Sequence, residues 1–146
     1  MRAVVQRVRE ARVEVSGRCV GQIGPGMLIL LGIHRDDTSV QVEDLAKRLV
    51  SLRIFDTPEG TGTLALDEIP SAEVLCVSQF TLWAETRKGR KPSWSRAAPR
   101  EQAEPLYLEF LEAVRDRGIR VAAGTFGAEM DVHLVNQGPM TLLVEA

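Results

Sequence analysis

The sequence predicts an α/β fold: one domain, residues 1–146, of mixed, mainly antiparallel β-sheets arranged like a barrel and covered by two α-helices. Three observations predict it. Strand-like segments outnumber helix-like ones, in the order hairpin, strand, helix, strand, loop, helix, strands. The run Met27-Leu28-Ile29-Leu30-Leu31-Gly32-Ile33 is apolar without interruption, as in a strand buried on both faces. Only two segments repeat apolar residues at the three- and four-residue spacing of a helix.

Each element follows from its residues. The opening segment alternates through Val4, Gln6, Val8 and Glu10, then Val13, Glu14 and Val15. Ser16-Gly17 supplies a turn, so Cys19 to Ile23 forms the hairpin partner. Gly24-Pro25-Gly26 punctuates the chain before the apolar run, which is expected to be central in its sheet. The cluster Asp36-Asp37-Thr38-Ser39 caps a helix whose stripe is Val42, Leu45, Ala46, Leu49 and Leu52. Thr57 to Gly62 is a loop, and Glu73 to Phe80 a second buried strand. Pro99 suits a first helical turn, Leu106, Tyr107, Phe110, Leu111 and Val114 form the second stripe, and Gly118 ends it. Ala128 to Asn136 and Met140 to Val144 read as strands flanking a Gly-Pro turn.

Composition excludes several classes. A chain of 146 residues, 45% hydrophobic and 26% charged, has enough apolar material for a core and does not read as disordered. Cys19 and Cys76 form no C-x-x-C pair and sit among apolar neighbours, so both read as buried reduced thiols. The N-terminus interleaves Arg2, Gln6 and Arg7 with apolar residues, and the longest apolar runs are too short to span a membrane; a cytoplasmic location is expected. A net charge of −2 argues against a surface that coats nucleic acid everywhere. The charge is unevenly placed. From Thr86 to Arg100 the chain is +6, through Arg87, Lys88, Arg90, Lys91, Arg96 and Arg100, while the remainder carries −8. That asymmetry points to a local anionic partner.

Familiar catalytic motifs are missing. The chain has no G-x-S-x-G elbow, no H-E-x-x-H and no Walker loop. Gly21, Gly24, Gly26 and Gly32 lead into a strand-like run where a phosphate-binding loop needs a helix, so they read as turn glycines. His34 and His133 have no second ligand at metal spacing and read as solvated or core histidines. The chemistry is expected to run without metal, cofactor or a histidine base.

Two short segments change the picture. Ser78-Gln79-Phe80-Thr81-Leu82 and Asn136-Gln137-Gly138-Pro139-Met140-Thr141, with Lys88-Gly89-Arg90-Lys91-Pro92-Ser93-Trp94 between them and Met1 to Val8 at the start, occur together and in this order. In that arrangement the sequence resembles the D-aminoacyl-tRNA deacylase family over essentially its whole length. Met140 stands where the family usually has valine, and Lys91 and Trp94 replace a more usual arginine and phenylalanine.

The resemblance implies hydrolysis of the ester joining a D-amino acid to the 3′ end of tRNA, and likewise of glycyl-tRNA mischarged on tRNA(Ala), as chiral proofreading in translation. It implies a homodimer, no cofactor, and a cis Gly138-Pro139 peptide inserted into the partner's site. Backbone carbonyls of Gly138 and Pro139 then take the substrate's α-ammonium and exclude L side chains. Glycine, having no side chain, escapes such a filter. Ser78, Gln79 and Phe80 fall at a strand end, where Phe80 can stack on the terminal adenine and Gln79 bond its ribose or base. Phe126, Met130 and Asn136 join them as substrate-side residues, and Arg87, Lys88, Arg90 and Lys91 as tRNA contacts. Thr81 is expected near the scissile carbonyl as an oxyanion group and not a nucleophile, since no base neighbours it in sequence. The alternative is a non-catalytic tRNA-binding module, in which the basic loop with Trp83 or Trp94 grips RNA and nothing is hydrolysed.

Overall fold

In the computed structural model, which describes residues 1–87 and 90–146, the alternation at the N-terminus becomes one long strand, β1 (Arg2–Val15). Its buried face is Ala3, Val5 and Arg7, an arginine among core residues. Ser16 and Gly17 both take positive φ at the hairpin turn, and β2 (Arg18–Ile23) returns antiparallel. The apolar run is β3 (Gly26–Gly32), antiparallel to the first half of β1. On its other side β3 pairs in parallel with β6 (Glu73–Ser78), which pairs in parallel with β7 (Arg120–Ala123). The expected central position of the apolar run is therefore observed.

The sheet curls on itself. A Cβ on Gly21 of β2 would lie 2.6 Å from the Ala123 carbonyl oxygen of β7, so the two outer strands approach within backbone contact. Only glycine permits that approach. The result is a nearly closed, barrel-like sheet, with a small hairpin of β4 (Phe55–Asp56) and β5 (Thr63–Leu64) beside it.

Two helices cover it. In α1 (Ser39–Val50) the Thr38 hydroxyl accepts from Val40 N, and Gln41 reaches back to the Thr38 backbone, forming a capping box. In α2 (Arg100–Arg115) Pro99 is the residue before the first turn, and Pro105 lies inside the helix, where it supplies no N–H for the carbonyl four residues back. Val42, Leu45 and Leu49 of α1 meet Tyr107, Phe110 and Val114 of α2 in the main core, together with Val5, Ile29 and Cys76 of the sheet. Val8, Val13, Leu28, Leu75 and Val77 form a second core inside the curled sheet. Among the described residues no helix is long and apolar enough to cross a membrane.

Two expectations need correction. The Gly-Pro segment is not a turn between two strands: Asp131–Glu145 is one strand, β8, paired with β1 along nearly its whole length. Thr141 pairs with Gln6 and Asn136 with Val8, so Gln137 to Met140 stand opposite Arg7 alone and bulge from the ladder. Pairing with a distant strand outweighs the local turn signal. Cys19, expected to be buried, is exposed, because β2 turns that residue away from both cores. Cys76 is fully buried, and burial pushes its thiol pKa up. Native protein is therefore expected to take up a maleimide at Cys19 alone, with Cys76 reacting only after denaturation. Two rapidly labelled thiols in native protein would contradict this placement.

Candidate functional site

The carboxyl ends of β3 and β6 lie side by side, and the chain leaves both there. Gln79 N donates to Leu31 O at 2.7 Å, which adds one more rung to the parallel pair before the backbone turns away. The next four residues, Phe80–Trp83, form a single 3-10 turn. Gly32 lies under it, where a side chain would meet Gln79 O and Leu82 Cβ.

A cleft of about 80 Å³ opens at this point. Its walls are Leu31 and Ile33 from the end of β3, Ser78, Gln79 and Phe80 from the end of β6, Ala98 and Ala103 at the start of α2, and Phe126 and Gly127 from the loop after β7. Ala98 N donates to Ile33 O at 2.9 Å, fixing the α2 wall to the sheet. Phe126 is fixed from behind: its ring lies 5.5 Å from that of Tyr107, whose hydroxyl donates to Cys76 O at 2.8 Å. The cavity is chiefly apolar and suits a flat ring. At its mouth Phe80 (55% exposed) and Trp94 (42% exposed) meet edge to face with centroids 5.3 Å apart. Exposed aromatic pairs of this kind offer π-faces to an unstacked base.

Beyond the mouth lies the basic segment. Glu85 and Ser93 are bridged by their backbones, so the stretch between them leaves and rejoins the body at one place. Arg87, Arg90 and Lys91 are exposed there, and Lys88 lies outside the described residues. Arg96 and Arg100 continue the charge toward the cleft, Arg96 with its guanidinium 5.1 Å from the Trp83 ring centre and Arg100 5.8 Å from that of Phe126.

Thr81 sits on the 3-10 turn, with its hydroxyl accepting a hydrogen bond from the Gln79 side-chain amide. That contact leaves the hydroxyl proton free to donate. Among the described residues no His, Lys or carboxylate is hydrogen-bonded to it, so the geometry offers a donor and no nucleophile–base pair. His34 packs edge-on against Trp83 at 4.6 Å, and its Nδ1 accepts from Asp36 N. His133 lies on β8 beside Glu14, 3.7 Å away, far along the strand from the cleft. Among the described residues no group of three or more His, Cys, Asp or Glu is placed to hold a metal ion.

The remaining residues singled out in the sequence stand apart from this cleft. Gly138 and Pro139 form a cis peptide at the bulge of β8; both are exposed, and a Cβ on Gly138 would meet only Asn136 Nδ2, at 3.9 Å. Asn136 is paired opposite Val8. Met130 packs on the inner core of the sheet, its sulfur closing over Gly124. A larger hollow, about 300 Å³, lies between β1, β2 and β8 and is lined by Glu10, Arg12, Gln22 and His133, without any residue of the two signature segments. Size alone does not locate the site.

The residue that sequence reasoning missed is Arg7. It is 4% exposed, and its guanidinium donates to Ile54 O at 2.7 Å, Gly138 O at 2.9 Å and Gln137 O at 3.1 Å, with Asp56 Oδ2 3.1 Å away. It ties the Gly-Pro bulge to the β1 backbone. The signal was available: at two-residue spacing Arg7 shares a face with Ala3 and Val5, and an arginine on a core face needs several acceptors.

The family model described as D-Tyr-tRNA(Tyr) deacylase matches residues 4–145. The chain belongs to that family. It is 57% identical over 146 residues to a D-aminoacyl-tRNA deacylase of Desulfatibacillum aliphaticivorans, covering all of this chain and 99% of the relative. It is 49% identical to one of Thermosipho africanus, covering 100% and 97%. Among solved structures, one described as a c-Myc DNA unwinding element binding protein superposes with a TM-score of 0.91 at 42% identity, over all of this chain and 99% of that one. A probable eukaryotic D-amino acid tRNA deacylase superposes with a TM-score of 0.85 at 22% identity, over 99% and 98%, and shares the fold. Family members thus span the whole chain, both signature segments included.

Proposed function

We propose that residues 1–146 form one D-aminoacyl-tRNA deacylase domain, a carboxylic ester hydrolase that frees the D-amino acid and tRNA. The observation that carries this reading is the cleft at the ends of β3 and β6, where Ser78, Gln79, Phe80 and Phe126 converge beside a Thr81 hydroxyl with a free proton. The terminal adenosine enters the apolar cleft, Phe80 stacks on its base, and Gln79 bonds the nucleoside. Thr81 donates to the carbonyl oxygen as it gains charge; one such donor is typically worth about 3 kcal/mol. The aminoacyl ester is already activated, and the neighbouring 2′-hydroxyl can help water attack, so positioning supplies much of the rate.

Two copies complete the site in this proposal. Gly138 and Pro139 project from one protomer and enter the cleft of its partner, where their carbonyls take the α-ammonium and leave no room for an L side chain. Their exposure and the open space around Gly138 favour this reading. Asn136, exposed on the same strand, would then act from the partner's side, and Met130 supports its own protomer's loop after β7. Glycyl-tRNA, mischarged on tRNA(Ala), passes the filter for want of a side chain, and the role in the cell is chiral proofreading in translation. Arg87, Lys88, Arg90 and Lys91 hold tRNA phosphates.

The test is direct. Incubated with D-tyrosyl-tRNA and L-tyrosyl-tRNA, the protein is expected to accelerate loss of the D-ester and leave the L-ester at its spontaneous rate. Loss of neither would mark a non-catalytic tRNA-binding module, and equal loss of both would remove the chiral filter.

A further inference from the structure

The 3-10 turn that carries Phe80 and Thr81 is only four residues long, and such turns have poorer hydrogen-bond geometry than an α-helix. Its final carbonyls need partners from elsewhere. Ala84 N donates to Thr81 O at 3.0 Å, while Leu82 O accepts from Arg2 Nη1 at 2.7 Å. The same guanidinium lies over the Trp83 ring at 4.1 Å from its centre, and its Nε donates to Glu145 across the β1–β8 pair. Arg2 therefore touches two consecutive residues of the turn, one through a hydrogen bond and one through a π-face. Trp83, thus covered, is buried.

We infer that Arg2 is a positioning residue for the ester-facing turn: it caps the turn through Leu82 O, clamps it through Trp83, and so sets where the Thr81 hydroxyl points. The inference rests on the proposed role of Thr81. The chemistry needs arginine in particular, because a planar guanidinium can stack and donate at once, whereas an ammonium is a compact point charge that cannot lie flat on a ring while bonding a neighbouring carbonyl. Glu145, half exposed, accepts from the Nε edge of the same fork, and a glutamine there would keep an acceptor oxygen. Arg2 is not among the residues that line the cleft, so its side chain acts on the reaction through the turn.

An alternative use for an arginine near a basic surface is phosphate binding, and the two roles separate in the kinetics. Arg2→Lys and Arg2→Ala are each assayed for single-turnover hydrolysis of D-tyrosyl-tRNA, for affinity toward uncharged tRNA across a salt series, and for thermal unfolding. Glu145→Gln is the control. The expected result is a fall in the hydrolytic rate of about tenfold or more in both Arg2 variants, with tRNA affinity and its salt slope within about twofold of wild type. Glu145→Gln should keep the rate within about twofold, since it spares the cap and the stack.

Arg2→Lys keeps a cation beside Glu145 and is the deciding variant if Arg2→Ala proves too unstable to assay. An undiminished rate in Arg2→Lys overturns the inference. So does a loss confined to tRNA affinity with a flattened salt slope, which would make Arg2 a phosphate contact, or an equal loss in Glu145→Gln, which would make the sheet-end ion pair the operative feature. If wild-type protein fails to hydrolyse D-tyrosyl-tRNA, the proposed function fails first; wild-type activity with an intact Arg2→Lys rate removes the positioning role alone.

Discussion

Arg7→Ala is expected to lower the melting temperature by about 6 to 12 °C and the hydrolytic kcat/KM toward D-aminoacyl-tRNA by about 100-fold. Truncation removes a buried guanidinium and strands the carbonyls of Ile54, Gln137 and Gly138, of which Ile54 O lies in a buried contact. An unsatisfied buried acceptor costs about 1 to 3 kcal/mol, and the two bulge carbonyls regain some water, so a total near 3 kcal/mol is reasonable. At this chain length each kcal/mol corresponds to about 2 to 4 °C. Asp56, more than half exposed, adds little, because its charge is screened by solvent. The activity loss has a separate origin. Four residues of β8 stand opposite Arg7 alone, so nothing else in β1 fixes the height or direction of the bulge. With the Gly138 and Pro139 carbonyls on that bulge taking the substrate's α-ammonium, as proposed, an error of about 1 Å is enough for a 100-fold loss. Arg7→Lys retains the charge but cannot fork between three acceptors, and is expected to recover part of the stability while leaving the D-to-L preference impaired. A full D-to-L ratio in Arg7→Ala, measured by ester loss, would show that the bulge is held by something other than this side chain.

The case of Arg7 shows which parts of the molecule can be read locally. The β3 run, the α1 stripe behind Thr38, and the α2 stripe through Tyr107 and Phe110 each declare themselves within a dozen residues, because burial, capping and period are local properties. The second buried strand was legible for the same reason, although it was expected to run to Phe80 and ends at Ser78. What could not be read from neighbouring residues depends on distant partners. Gly138-Pro139 looks like a turn until β1 pairs on both sides of it, and β7 is four residues long and recognisable as a strand only beside β6. Phe80–Trp83 continues a strand-like pattern yet turns away, since Gly32 and Leu31 of another strand dictate where the pairing stops. Cys19 has apolar Val20 on one side but Arg18 on the other, and it lies exposed near the turn of a hairpin. The cleft itself mixes both kinds of information. Ser78, Gln79, Phe80 and Phe126 were singled out from the sequence, whereas Ile33, Ala98 and Ala103 are small or aliphatic residues with no chemical signature, brought to the wall by the lead-in to α2.

Gly32→Ala should produce the second large effect, and it tests whether the turn must sit as close to β3 as it does. A Cβ at Gly32 would lie 2.9 Å from Gln79 O, 3.0 Å from Leu82 Cβ and 3.2 Å from Trp83 Cδ1. The first of these is backbone, and Gln79 is already tied to Leu31 O at 2.7 Å, so it cannot retreat without breaking the last rung of the β3–β6 pair. The turn must therefore move. Overpacking of this sort typically costs about 1 to 3 kcal/mol, or about 2 to 12 °C in melting temperature at this size. The displacement falls on Phe80 and Thr81, between the strained carbonyl and the strained side chains, so hydrolysis of D-tyrosyl-tRNA is expected to drop about 100-fold. Gly24→Ala serves as the control, because a Cβ there meets only Glu73 Oε2 at 3.7 Å, an ordinary contact. Stability and rate should both survive that change. If Gly32→Ala melted early yet hydrolysed the D-ester at the wild-type rate below its melting point, the position of Thr81 would not govern the reaction, and the oxyanion role proposed for it would have to pass to another group.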